Sequence, residues 1–345
     1  MKTIEWQYLI VSYLFLGGLS AGLYFVSALA ELLQGSDEPA QREIARYGAL
    51  LAPWPVMLGS VLLVFDLGHW YRFYKLFLHF RWESPMSIGS WLLTAFIAVS
   101  LVYAYGWVSN DQRNRFFARL PRRLRYLGFL NRDVSSARRP LAVLGLPVSV
   151  GVGIYTGVLL GAVQSRPFWN TNLVAQLFLF SALSSGCALL LGVAAIAQDR
   201  LAMHEFRLLY MLDLAFLTLE FFIVVPYLLH GELSALAVRE SLKLILGGPF
   251  TLLFWVFFLG MGLLLPWVIE LREVLPLLIV RAQSTSQVGA VPGDVGPLTG
   301  GIVVRSDARL HFSRLWTVAA AVLILMGGVL LRYIFVFAGQ ISVFR

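Results

Sequence analysis

Cysteine and charge are the scarce commodities of this 345-residue chain. Its one cysteine, Cys187, cannot by itself hold an iron–sulfur cluster, a structural zinc or a disulfide. Charged residues make up 13% of the sequence against about 25% in an ordinary soluble domain. With 59% apolar residues and apolar runs of twenty or more, a soluble fold would have to expose far too much apolar surface. The chain therefore reads as an all-α, polytopic membrane protein. A net charge of +8 raises nucleic acid as a partner, but the arginines fall in short loops between apolar spans and build no aromatic-interleaved basic face. Nucleic-acid binding is set aside on that ground, and no short-period repeat is evident.

Eight spans of helical length are marked off by polar or Pro/Gly breaks. They run from Trp6 to Leu33, Tyr47 to Phe73, Pro85 to Val108, Pro140 to Val163, Asn172 to Ala197, Leu208 to His230, Pro249 to Ile269 and Leu315 to Ala338. The first begins beside Glu5, is too long for a signal h-region and carries no small-residue cleavage site, so it reads as a retained span. The whole chain, 1–345, is expected to be a single transmembrane domain. Alternating the spans puts eighteen Lys and Arg on one side, nine of them between Arg113 and Arg139, and eight on the other. The positive-inside rule then makes the first side cytoplasmic and places both termini outside, in the cytoplasmic (inner) membrane of the cell. Residues 109–139 become a basic cytoplasmic loop, and the Gly-, Ser- and Pro-rich residues 282–313 a flexible one. Residues 234–245 are expected to form an outer interfacial helix, with Leu233, Leu236 and Leu244 toward the membrane.

Arg332 lies inside the last apolar span. A guanidinium is costly in hydrocarbon and cannot discharge itself, so it must face a partner, a cavity or a ligand. Titratable and amide side chains gather at the same, outer, end of the bundle: Asp66 and His69 close span two, Glu83 opens span three, Arg166, Trp169 and Asn170 follow span four, and Gln340 follows Arg332. That combination suits a quinone headgroup, which needs polar partners for two oxygens, a proton acceptor and an apolar slot for its tail. Asp66 and His69 are three residues apart and share a helical face, so the carboxylate can orient an imidazole that accepts the quinol proton. The plainer alternative is that Asp66 neutralises Arg332 while His69 and His79 sit at the interface. Glu31, Asp213 and Glu220 are further intramembrane acids, the last two seven apart and on one face. With Asp66 they could form a proton ladder or, equally, a set of hydrogen-bonded acids that join helices. The Gly18/Gly22 and Gly17/Ala21 pairs point to close helix packing.

The strings Tyr13-Leu14-Phe15-Leu16-Gly17-Gly18-Leu19-Ser20-Ala21-Gly22, Ser84-Pro85-Met86-Ser87-Ile88-Gly89, Tyr155-Thr156-Gly157, Leu331-Arg332-Tyr333 and Ala338-Gly339-Gln340 resemble, in order and spacing, the NrfD/PsrC family of quinone-reactive membrane subunits. The resemblance covers nearly the whole chain. It implies a subunit that exchanges electrons with menaquinone or a related quinone and holds no haem or iron–sulfur cluster of its own. It also implies an extracytoplasmic, ferredoxin-like partner with four iron–sulfur clusters, and beyond it a molybdopterin or multihaem catalytic subunit. In polysulfide-reductase-type members the quinone pocket draws on positions corresponding to Tyr13 and Tyr155. Some relatives carry histidine at the former, so Tyr13 departs from a general base while keeping a hydrogen-bonding hydroxyl. Arg166, Trp169 and Asn170 match the family's loop pattern, either as quinone contacts or as braces. Two other classes are open to the sequence alone. A haem b anchor would need histidines on facing helices, for which His69 and His230 are the available pair. A secondary transporter would show broken helices and inverted repeats about a central site.

Overall fold

The structure, a computed structural model, describes residues 8–33, 42–66, 74, 80–109, 111, 134–196, 203–275 and 314–342. Among them the backbone is predominantly helical, with no strand. The helices are α1 (Tyr8–Leu33), α2 (Arg42–Leu51), α3 (Pro53–Asp66), α4 (Pro85–Gly106), α5 (Arg138–Gly161), α6 (Leu173–Ile196), α7 (Met203–Leu233), α8 (Leu236–Leu246), α9 (Leu253–Leu275) and α10 (Arg314–Ile341). Eight stretches are long and apolar enough to cross a membrane, α2 and α3 together forming the second (Glu43–Asp66).

Local chemistry explains the breaks. Pro53 has no N–H to give the helix, and the Ala52 carbonyl at that joint accepts a hydrogen bond from the Ser20 hydroxyl of α1. α4 starts where Ser84 caps it, its Oγ accepting from the Ser87 N–H at 3.4 Å, with Pro85 as the first helical residue. Pro147 and Pro226 stand inside α5 and α7, both on exposed faces; membrane helices tolerate proline where local adjustment re-satisfies the freed carbonyl. The first half of α9, Leu253–Leu264, is wound as a π-helix, much longer than the usual single-turn bulge.

α1 and α6 form the centre of the bundle. In each, 72% of the central residues are buried, against 33% in α4. They approach so closely that a Cβ on Gly22 would collide with the Ala182 carbonyl, and one on Gly186 with the main chain of Gly22. Small residues let backbones meet in this way where no hydrophobic effect drives helices together.

The observed spans differ from the expected ones in instructive places. The second begins at Glu43, four residues before Tyr47, and its expected end through Phe73 lies outside the described residues, as does His69. The seventh runs Leu253–Leu275 instead of Pro249 to Ile269, which carries Glu270 into the bundle. Most of the basic loop 109–139 and all of 282–313 also lie outside the described residues. The end of the former is a short 3-10 turn, Ser135–Ala137, leading directly into α5. A helix, α8, stands where the interfacial one was expected. Leu233 and Leu236 are exposed, Leu244 is partly buried against the core, and Leu242 and Ile245 turn inward.

Candidate functional site

Two tyrosines meet near one end of the bundle. Tyr13 is five residues into α1 and Tyr155 six residues from the end of α5, so each lies roughly 8–9 Å from its helix terminus. Tyr13 is 1% exposed and Tyr155 8%. Their hydroxyls face one another. The Tyr13 hydroxyl is nonetheless buried without a well-formed hydrogen bond. Gly89, four residues into α4, provides the floor: a Cβ there would overlap the phenol of Tyr155. Gly59 of α3 does the same for Tyr13 more loosely, its Cβ position lying 3.5 Å from the Tyr13 ring. The string around Gly89 is therefore a capped helix start whose bare glycine receives an aromatic ring from α5, a role the sequence reading did not assign to it.

The loop after α5 is a brace. Arg166 donates through Nη1 to the carbonyls of Gln340 and Ser342, the latter at 2.9 Å. The Trp169 Nε1–H donates to the Phe335 carbonyl at 2.7 Å, and its indole fills the space over Gly339. Phe168 completes the joint, its ring 5.3 Å from Phe335 and 6.0 Å from Tyr227. Arg166 and Trp169 thus engage the main chain of α10, while Asn170 is exposed. Asp66 is half-buried at the same end.

Arg332 occupies a different place. It is fully buried on α10 and donates from Nη1 to Ser181 Oγ at 2.7 Å and to its own helix at the Gly328 carbonyl, 2.8 Å. Its Nη2 reaches the Phe178 carbonyl at 3.3 Å. The facing acid is Glu220 of α7, which also receives a hydrogen bond from Ser184 at 3.3 Å. Asp66 is the alternative neutraliser of Arg332 that the sequence offers; the acid that acts on the guanidinium is Glu220 of α7. Gly18 gives the guanidinium its room: a Cβ there would lie 3.1 Å from Nη2. The rings of Phe178 and Phe15 flank it, at 5.2 Å and 5.8 Å from the guanidinium carbon. A Ser/Glu/Arg node of this kind is what low-dielectric burial of a charge requires.

The acids fall into two neighbourhoods. Asp213 and Glu220 interact on one face of α7, as their spacing implied, and Asp213 lies directly against Glu270 of α9, both fully buried. Cys187 of α6 is beside that pair, and the Tyr210–Thr317 hydroxyl pair adjoins it. Glu270 was missed because the expected seventh span ended one residue before it. Leu271, Val274 and Leu275 beyond it carry the apolar signal that could have found it. Glu31 belongs elsewhere, with Tyr103 of α4 and Arg138 of α5. Arg138 donates to the Gly106 carbonyl at 2.6 Å and lies over Trp107. The four-acid ladder is thereby divided. Of the histidine pair considered for haem, His230 is exposed and shares a hydrogen bond with Ser234, and His69 is outside the described residues. Among the described residues there is no group of three or more metal-ligating side chains.

Residues 1–285 match the family model described as "Polysulphide reductase, NrfD". The C subunit of polysulfide reductase from Wolinella succinogenes is 31% identical over 276 residues, covering 78% of this protein and 84% of that one. Protein NrfD of Escherichia coli is 32% identical over 275 residues, covering 78% and 85%. A Haemophilus influenzae NrfD homolog is 25% identical over 344 residues, or 99% of this protein and 96% of the relative.

Proposed function

Because the chain belongs to the polysulphide reductase NrfD family, we propose that it is the quinone-reactive membrane subunit of a reductase complex and that menaquinone or a related quinone binds between Tyr13 and Tyr155. The observation that carries this reading is the Tyr13 hydroxyl, buried without a well-formed partner and facing a second tyrosine seated on Gly89. A buried hydroxyl in that condition is costly unless a ligand meets it. When bound, a quinol supplies two electrons and two protons. The two phenols hold the headgroup at an end of the bundle where Asp66, and by sequence His69, can take a proton. Arg166, Trp169 and Asn170 frame the site by fixing the loop against α10. Asp213 and Glu220, joined by Glu270, offer proton-holding groups deeper in the bundle, with Glu31 forming a separate cytoplasmic-side group.

The electrons must leave through another subunit, since one cysteine cannot hold a cluster. The partner that fits is the ferredoxin-like, four-cluster iron–sulfur protein, linked to a molybdopterin or multihaem catalytic subunit. It would dock at the end carrying Tyr13, Tyr155 and the α10 terminus. The loop-charge bias makes that end extracytoplasmic, with both termini outside the cytoplasmic membrane.

The test is quinol kinetics in the purified complex. Tyr13→Phe and Tyr155→Phe each remove one hydrogen bond, so the KM for quinol should rise about 3- to 30-fold with assembly unchanged. Unchanged KM and kcat in both variants would remove the tyrosine pair from the quinone site.

A further inference from the structure

A second lipid-facing feature lies on the opposite side of α1. Phe15 and Leu19 of α1, Leu253 and Phe257 of α9, and Leu325, Met326, Val329 and Leu330 of α10 line a wholly apolar slot of about 550 Å³. The π-helical part of α9 forms one wall. Tyr13 and Phe15 are two residues apart, hence about 200° apart around α1, so the slot is no extension of the tyrosine pair. On α10 the slot sits at the centre of the span, Leu325 and Leu330 each lying 11 residues, about 17 Å, from an end, while on α9 it reaches the first residue of the span, Leu253.

Behind the slot stands Arg332. Phe15 both lines the slot and presents its ring to the guanidinium. Gly328 adjoins the same wall: a Cβ there would come within 3.1 Å of Phe15 and 2.7 Å of Ser185 Oγ. Arg332 is 0% exposed, and its Nε–H has no acceptor although Nη1 and Nη2 are engaged. An apolar slot that reaches mid-depth beside an unsatisfied buried donor suits an amphiphile whose small, uncharged polar part can travel to that depth. Phospholipids do not meet that condition, because their headgroups and ester carbonyls are held at the interface, about 15 Å away. A neutral quinone can reside at the midplane and carries a carbonyl acceptor.

We propose that this slot is a second binding site for a quinone-class molecule, with the hydrocarbon part along α9 and α10 and, on rotation of Phe15, a carbonyl oxygen accepting from Arg332 Nε–H. The ligand class rests on the functional reading above; the location does not.

The experiment is photolabelling of the intact complex in nanodiscs with an azido-naphthoquinone bearing a short prenyl tail, followed by peptide mapping. Labelling is expected on the peptide containing Met326, separate from that containing Tyr155, and excess unlabelled quinone should compete at both; the peptide with Phe15 also holds Tyr13 and is not used to tell the sites apart. Val329 and Met326 are exposed on the outer face of α10, so Val329→Trp or Met326→Trp can fill the slot without disturbing the core. Either should cut slot labelling about tenfold and leave the Tyr155 peptide unaffected. Slot labelling that is absent, is not competed by quinone, or is unchanged in both tryptophan variants overturns the proposal. So does equal, uncompeted labelling by a photoreactive phospholipid. Competed slot labelling with an unlabelled Tyr155 region would instead overturn the tyrosine-pair site and leave this one standing.

Discussion

Gly89→Ala is the smallest change that should disable the tyrosine pair, and its size follows from packing. A methyl on Gly89 would fall on the phenol end of Tyr155. From 1.8 Å, restoring ordinary contact near 3.5–4 Å requires the ring to withdraw by roughly 2 Å. α4 cannot easily give way instead, because Ser84 and Pro85 fix its start and Ser87 Oγ accepts from the Arg81 N–H at 3.1 Å. Tyr155 therefore moves relative to Tyr13. A misplacement of about 1 Å can cost on the order of 100-fold in a reaction that depends on positioning, so kcat/KM for quinol should fall about 10- to 100-fold. The assay is steady-state quinol oxidation by the assembled complex, with protein content and thermal stability measured in parallel. Gly89→Ala/Tyr155→Ala removes the overlap and should recover stability but not kinetics. Normal kinetics in Gly89→Ala would refute the argument that Gly89 positions Tyr155.

Four other outcomes are expected. Arg332→Leu strands Glu220 and should lower assembled protein, and Arg332→Leu/Glu220→Leu should recover much of it, with a coupling of about 1–3 kcal/mol in a thermal-stability cycle; additive losses would deny the interaction. Arg332→Lys keeps the charge but not the planar fork, so expression should fall between wild type and Arg332→Leu. Trp169→Phe removes the indole hydrogen bond to the Phe335 carbonyl, which keeps its helical bond within α10, and should cost about 0.5–1.5 kcal/mol, seen as a lower melting temperature in detergent, while quinol KM changes little. Reporter fusions after Arg139 and at Arg345 should report opposite compartments, and the same compartment at both would invalidate the loop-charge orientation.

The spans were legible because uninterrupted apolar length is a strong signal that needs no knowledge of neighbours. Their limits were less so. A π-helix has more residues per turn and climbs less per residue than an α-helix, so α9 needs further residues to cross the same depth. That shift draws Glu270 inside, and hydropathy windows do not register it. Same-helix relations were also readable: Asp213 and Glu220 share a face because they are seven apart. Cross-helix relations were not. Arg332 announced itself as a buried charge, but whether Asp66 or Glu220 answered it depended on which helices pack against α10. Arg166 and Trp169 were found as unusual loop residues, yet only their bonds to the α10 carbonyls distinguish a brace from a ligand contact.

α1 explains why two such different polar places coexist in one bundle. Its glycines let α6 approach until the backbones touch, which leaves no slot between those two helices for a ligand. Binding space therefore has to open on the remaining faces. One face carries Tyr13 toward α5 and α3, close to the helix end, with Asp66 at the same end. The other carries Phe15 toward α9 and α10, where the slot opens on the lipid side of the Phe15 ring and Arg332 stands behind that ring. The second face could not accommodate a guanidinium without Ser181 and Glu220, because a charge held that deep must be answered from within the protein. The close-packed α1–α6 seam is thus what keeps the tyrosine pair and the Arg332 node apart.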